Sequence, residues 1–181
     1  EITEQIKAEF INGEIIVHSP VIKLHNDISS NAHRLIDAYV FERDLGFVGI
    51  EKILIQLTRN DYEPDVCFFD KQKTNQFKDN QKFFPAPDLI VEVLSKSTEK
   101  RDRGIKFKDY EAHGVTEYWI IDPKNKTIKQ YVLKKNKYEL VTKSTSEKVF
   151  SKALTGLDFS VAALFSRKEN YAAVKAILKG K

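Results

Sequence analysis

The chain has no methionine, one cysteine and one tryptophan in 181 residues, and no apolar run approaches the roughly 18 residues that a membrane helix requires. A lone Cys67 excludes an internal disulfide. It sits in an apolar, strand-like run, which points to a buried thiol and a reducing compartment. The opening Glu1-Ile2-Thr3-Glu4 lacks the basic and apolar segments of a secretory leader. With no initiator methionine the expectation is a trimmed start, and a soluble, cytoplasmic protein with no membrane partner. Only 7 Gly and 5 Pro are present, which excludes collagen-like and low-complexity classes. There is no Walker-type glycine loop, no zinc-like Cys/His cluster and no Gly-x-Ser-x-Gly elbow, so NTPase, zinc-finger and serine-hydrolase readings drop out.

What is present is ordinary globular material. Hydrophobic residues make up 41% and charged residues 31%, enough for one packed domain spanning 1–181. The net charge of +4 permits contact with polyanions without a histone-like signature.

Ala8 to Ile11 and Glu14 to Val17 flank Asn12-Gly13, the dipeptide best suited to a two-residue hairpin turn. From Leu24 to Val40 apolar residues recur at helical spacing until Asp44-Leu45-Gly46 interrupts them. Phe47 to Leu57 and Asp65 to Phe69 read as two adjacent strands. Asp70 to Pro87 is polar and lysine-rich, so a long surface loop is expected; its Lys71, Lys73, Lys78 and Lys82 suit either a phosphate-binding flap or a solvated loop. Asp88 to Leu94 is nearly continuously apolar, the mark of a strand covered on both faces. A helix capped by Ser97 or Thr98 should run to about His113, ending at Gly114. The strand Glu117 to Asp122 follows, then a hairpin of Thr127 to Leu133 with Tyr138 to Val141, and a helical tail.

Glu92 is the most informative residue, because a carboxylate inside a buried strand costs several kcal/mol unless paired, protonated or metal-bound. Asp65 opens its own strand after Pro64 and is the natural companion. Two converging carboxylates, completed by backbone carbonyls such as that of Val93, form a hard oxygen site for Mg²⁺ or Mn²⁺. The structural alternative is a pair of acids neutralised by Lys or Arg. Asp102 and Lys106 stand four apart, as in a helical surface pair, with Tyr110 one turn further on. Trp119 is expected in the core.

Pro64-Asp65, the block Pro87 to Ser95, then Ser97-Thr98 through Arg101-Asp102, Lys106, Tyr110, Gly114-Val115 and Glu117 to Asp122 together resemble the Uma-two family of restriction-endonuclease-like proteins. Glu9 to Ile15 and Leu154 to Leu157 fit that family's opening and closing segments. The resemblance implies an α/β restriction-endonuclease-like core (helix, three strands, helix, strand) of the PD-(D/E)XK nuclease superfamily, with an N-terminal β-hairpin and a C-terminal β-hairpin extension. It maps Asp65 and Glu92 onto the two acids. The superfamily lysine position is occupied by Leu94, whereas the Uma-two pattern carries its lysine in the following helix, matched by Lys106. His25 matches a family histidine, placed to contact a phosphate or a metal-bound water. Glu14, or Glu9 across the same turn, is a candidate for an upstream acid.

The expected function is metal-dependent phosphodiester hydrolysis by Asp65, Glu92 and Lys106, with Asp65, Glu92 and Val93 holding the metal. Secondary candidates are His25, Glu14, Asp102 and Tyr110. The resemblance favours DNA over RNA as the nucleic-acid partner, and cutting both strands of a duplex favours a homodimer. The alternative is a catalytically inactive nucleic-acid-binding or protein-interaction module on the same fold.

Overall fold

The computed structural model describes residues 8–180, so Glu1-Ile2-Thr3-Glu4 lies outside the described residues. In chain order the elements are β1 (Ala8–Ile11), β2 (Glu14–Val17), α1 (Lys23–Arg43), β3 (Gly46–Ile50), β4 (Leu54–Gln56), β5 (Asp61–Tyr62), β6 (Val66–Asp70), α2 (Lys71–Thr74), β7 (Phe83–Phe84), β8 (Leu89–Val93), α3 (Glu99–Asp102), α4 (Ile105–Ala112) and β9 (Glu117–Asp122). They continue with β10 (Thr127–Lys134), β11 (Lys137–Ser144), β12 (Lys148–Phe150), β13 (Asp158–Ser160), α5 (Ala162–Phe165) and α6 (Arg167–Leu178).

A six-stranded sheet, ordered β11-β10-β9-β8-β6-β3, forms the middle of the molecule. Within it β8 and β9 run parallel, joined across α3 and α4, and the rest pair antiparallel. The order helix, three strands, helix, strand expected for the core is found in α1, β3, β6, β8, α4 and β9. Side chains alternate across the sheet. Leu89, Val91 and Val93 therefore pack with Ile28, Leu35 and Ile36 of α1 on one face, while Ile90 packs with Cys67, Phe69, Tyr110 and Tyr118 on the other. Burial raises the Cys67 thiol far above its ordinary range, as expected of an inert core cysteine. Trp119 is likewise fully buried.

The Asn12-Gly13 turn has positive φ at both residues, 52° and 91°, and pairs β1 with β2. The hairpin is wider than the sequence suggests. β1 also pairs with β5, making it an interior strand of a second sheet ordered β2-β1-β5-β4-β7. Phe47 to Leu57 is two strands rather than one, because Glu51 and Lys52 adopt left-handed backbone and turn the chain from the large sheet to the small one. At Gly46 the backbone passes so near its neighbour that an added Cβ would stand 2.1 Å from the Phe69 carbonyl oxygen, and its φ of 147° disfavours any side chain.

Two further expectations are corrected. Asp70 to Pro87 is not a bare loop: it contains α2 and β7, and Phe77 and Phe84 pack edge to face with ring centroids 5.3 Å apart. Its Lys71 pairs with Asp44, and Lys73 reaches Asp88 Oδ1 at 2.8 Å. The helix expected from Thr98 to His113 is broken at Gly104 into α3 and α4, and Lys106, in the first turn of α4, is buried.

Candidate functional site

Strand register brings the two acids together. β6 and β8 pair Val66 with Val91 and Cys67 with Ile90, so one further step sets Asp65 opposite Glu92. Parity puts Glu92 on the same face as Ile90, toward α4. Val93 N donates to Asp65 Oδ2 at 2.7 Å, fixing the aspartate against the β8 backbone. His25, in the first turn of α1, has Nε2 at 2.9 Å from the Val93 carbonyl oxygen and 3.3 Å from Asp65 Oδ2.

Lys106 is 1% exposed, far from the surface pair that its spacing from Asp102 would suggest. Its Nζ stands 2.6 Å from Glu9 Oε1, 2.9 Å from Glu92 Oε1 and 3.3 Å from Asp102 Oδ1. Tyr110 OH donates to the same Glu92 oxygen at 3.2 Å. Burial alone would pull the ammonium's pKa down, but Glu92, Glu9 and Asp102 together hold it well above the ordinary lysine value. One ammonium cannot neutralise three carboxylates. Glu9 keeps the negative charge: burial pushes it up, yet Lys106 and His18 outweigh that and hold it at about 2. Burial raises Glu92 well above the usual carboxylate range despite Lys106, with Asp102, Asp65 and Glu9 adding to the rise. Asp102 is raised too, again chiefly by burial.

Glu9 is the residue that sequence reasoning undervalued. Hairpin acids are usually solvated, but Glu9 is fully buried, and β1 is an interior strand because β5, only two residues long and invisible in the pattern, pairs with it. Glu9 also accepts from Glu63 N at 3.2 Å and faces His18 Nε2 at 3.2 Å. Glu14 goes the other way. It is exposed on β2 and takes no part in the cluster's ion pairs among the described residues.

Asp65, Glu92, Val93, Lys106 and His25 all line a cleft of about 910 Å³. Among the described residues no three His, Cys, Asp or Glu side chains converge as a metal-binding group. The oxygens that line the cleft together are those of the Asp65 and Glu92 carboxylates and the Val93 carbonyl, a hard donor set. Such a set suits Mg²⁺ or Mn²⁺, which rely on few protein oxygens and complete their shells with water and substrate.

A central sheet carrying two acids at adjacent strand ends, with a buried lysine on the helix between parallel strands, defines a restriction-endonuclease-like α/β protein. The chain belongs to the Uma2 family, described as "Putative restriction endonuclease", which it matches over residues 1–162. Among curated proteins it is 34% identical over 119 residues to "Uncharacterized protein sll1609" of Synechocystis, an alignment covering 64% of this chain and 66% of that protein. Among solved structures it resembles a "putative nuclease belonging to DUF820" from Anabaena variabilis, with a TM-score of 0.75 and 21% identity over 87% of this chain and 89% of that one. The latter likeness is one of fold.

No described helix is long and apolar enough to cross a membrane.

Proposed function

We propose that the protein is a divalent-metal-dependent nuclease that hydrolyses phosphodiester bonds in DNA, in the reducing cytoplasm. The observation that carries this reading is the Glu92–Lys106–Glu9 arrangement, a lysine buried among acids, of which Glu92 and Lys106 line the cleft together with Asp65. A merely structural pair needs one acid for one base. Here, among the described residues, three acids share one base, and one of the three, Glu92, lines the cleft.

Asp65, Glu92 and the Val93 carbonyl would hold the metal, which when bound supplies Lewis-acid polarisation of the phosphate and an acidified water. The chain's own groups do the rest. Lys106 stays protonated, so it is an electrostatic partner for charge gathering on the phosphorane and not the base that takes the water proton. Glu9 and Asp102 hold the ammonium in place, and Tyr110 fixes the Glu92 carboxylate. His25 braces Asp65 against the Val93 carbonyl. Leu94, at the superfamily lysine position, packs in the core with 7% exposure; Lys106 fills that electrostatic role from α4.

The test is cleavage of supercoiled, linear and single-stranded DNA with Mg²⁺ or Mn²⁺, wild type beside Glu92→Gln and Lys106→Ala. Loss of a metal-ligating or charge-stabilising group is expected to cost about 10²–10³-fold or more in rate. Wild-type DNA binding without cleavage of any form would replace the enzyme with a binding module on the same fold. Sedimentation of the wild type checks the homodimer expected of an enzyme that cuts both strands.

A further inference from the structure

The cleft above the acids has two unlike walls. One is aliphatic: Val17 at the end of β2 and Val21, Ile22 and Leu24 leading into α1 all line it, with exposures of 60, 45, 70 and 48%. Four large aliphatic side chains held in water within eight residues of sequence are not explained by the fold, since each would be cheaper buried. The other wall is cationic. Lys96 and Arg101 come from the β8–α3 connection and α3, and Lys124 from the β9–β10 turn. Neither Lys96 nor Lys124 is in an ion pair among the described residues, and the buried Nε of Arg101 has no hydrogen-bond partner there. Two acids, Glu99 and Asp122, also line this wall, but both face Arg103, at 2.9 Å and 3.9 Å. Asp122 in addition accepts from the Lys124 and Asn125 backbone. The positive groups are left uncommitted.

A paired duplex shows phosphates on its outside along both strands, and an aliphatic wall offers nothing to a phosphate but desolvation. An unpaired strand is different. Its phosphates can follow the cationic wall while its exposed base faces cover the aliphatic one, the division of labour used by single-strand binders. Apolar side chains also stabilise bases parted from their stack. We propose that this cleft takes an unpaired DNA strand, with Val21, Ile22 and Leu24 as base-contacting residues and Lys96, Arg101 and Lys124 as phosphate contacts, so that single-stranded or locally opened DNA is the preferred substrate. This inference rests on the nuclease reading for the chemistry and on the two walls for the preference.

The experiment uses one labelled sequence as a single strand, as a fully paired duplex, as a duplex with an unpaired bubble, and as a single strand with abasic positions. Binding is read by fluorescence anisotropy with Ca²⁺ in place of Mg²⁺, and cleavage with Mg²⁺. The expected result is roughly 10-fold or greater preference for the single strand and bubble over the duplex, as loss of about one base contact implies. A Val21→Ser/Ile22→Ser variant should lose that preference on normal strands and show no further loss on abasic ones. Lys124→Ala should weaken all forms alike and lower the salt slope by about one. Equal affinity for duplex and single strand, or an aliphatic variant that behaves like Lys124→Ala, overturns the proposal. So does a shift of the Val21→Ser/Ile22→Ser variant from dimer to monomer in sedimentation, which would make the aliphatic wall a contact between copies. Strand-selective binding with no cleavage would sink the nuclease reading and leave the two-walled cleft standing.

Discussion

Glu92 and Glu117 are both buried carboxylates on neighbouring parallel strands, yet they live in opposite electrostatic worlds. The register pairs Leu89 with Glu117 and Glu92 with Ile120, and parity sends the two side chains to opposite faces of the large sheet. On its face Glu117 is saturated by neutral donors. Trp119 Nε1 and Gln130 Nε2 each donate to Oε1 at 2.6 Å, and Ser151 Oγ and the Lys152 and Ala153 backbone amides donate to Oε2 at 2.7–2.8 Å. Glu92 has one ammonium, shared with Glu9 and Asp102, and a tyrosine hydroxyl. The first arrangement is closed: it pins the segment after β12 to the sheet and has nothing left to bind. The second is short of positive charge and open to a cleft. A buried acid is therefore not by itself a sign of function; what separates the two is whether the protein finishes the job of compensating it.

The largest expected effect tests that separation directly. Glu117→Ala would strand five donors, two of them backbone amides, and should lower unfolding free energy by about 3–5 kcal/mol, as unsatisfied buried groups cost about 1–3 kcal/mol each with partial relaxation. Glu92→Gln should change stability by less than about 1 kcal/mol at neutral pH, because the burial that raises its pKa already favours an uncharged side chain there. Urea unfolding of both variants in EDTA reads the difference. Equal losses would mean that Glu92 is as much a structural residue as Glu117.

The next effect concerns acid. Glu9 is held at about 2 against an ordinary 4.5, so its ionised form stabilises the fold at any pH above about 4.5 by roughly 3 kcal/mol, and that contribution is lost as pH falls through about 2. Glu92 and Asp102 have raised values and act with the opposite sign. The unfolded chain releases their protons first, so their contribution is greatest in acid and declines as pH rises past the ordinary carboxylate range. Urea midpoints of wild type and Glu9→Gln, followed downward from pH 6 in EDTA, should differ most at the top and converge below pH 4.5. A constant gap across that range would contradict the assignment of the negative charge to Glu9.

Much of this was legible in the sequence, and the rest was hidden for identifiable reasons. Hairpin, first helix, central strands and the Asp65/Glu92 pair follow from turn chemistry, period and the cost of an acid in an apolar strand. Glu9 was hidden because the groups that meet it, Lys106 and the Glu63 amide, come from distant parts of the chain, and β5, which pairs with β1, is too short to have a period. The burial of Lys106 is hidden because its spacing from Asp102 reads as an ordinary i, i+4 surface pair, while Glu9 and Glu92, which meet it, come from other strands. The saturation of Glu117 has no sign in the sequence, because its donors come from Trp119, Gln130 and the far 151–153 segment and no local pattern announces them. Local periodicity reveals elements; it does not reveal which buried charges long-range contacts will satisfy.

The smallest effect distinguishes redundancy from scarcity. Gln130 Nε2 is shared between Glu117 Oε1 and the Phe150 carbonyl oxygen, at 2.6 Å and 2.7 Å, while its Oε1 accepts from Thr142. Gln130→Ala removes one of five donors from a carboxylate that retains four, and takes a partner from the Phe150 carbonyl and the Thr142 hydroxyl, so the expected loss is about 1–2 kcal/mol, with cleavage unchanged. Tyr110→Phe is its counterpart on the other face. It takes from Glu92 one of its two partners among the described residues and should cost comparable stability, but it also frees the carboxylate whose orientation the proposed chemistry needs. Thermal unfolding alone would not tell the two substitutions apart. Cleavage rate does: unaltered in Gln130→Ala and reduced in Tyr110→Phe if Glu92 is the carboxylate in use, and unaltered in both if it is not.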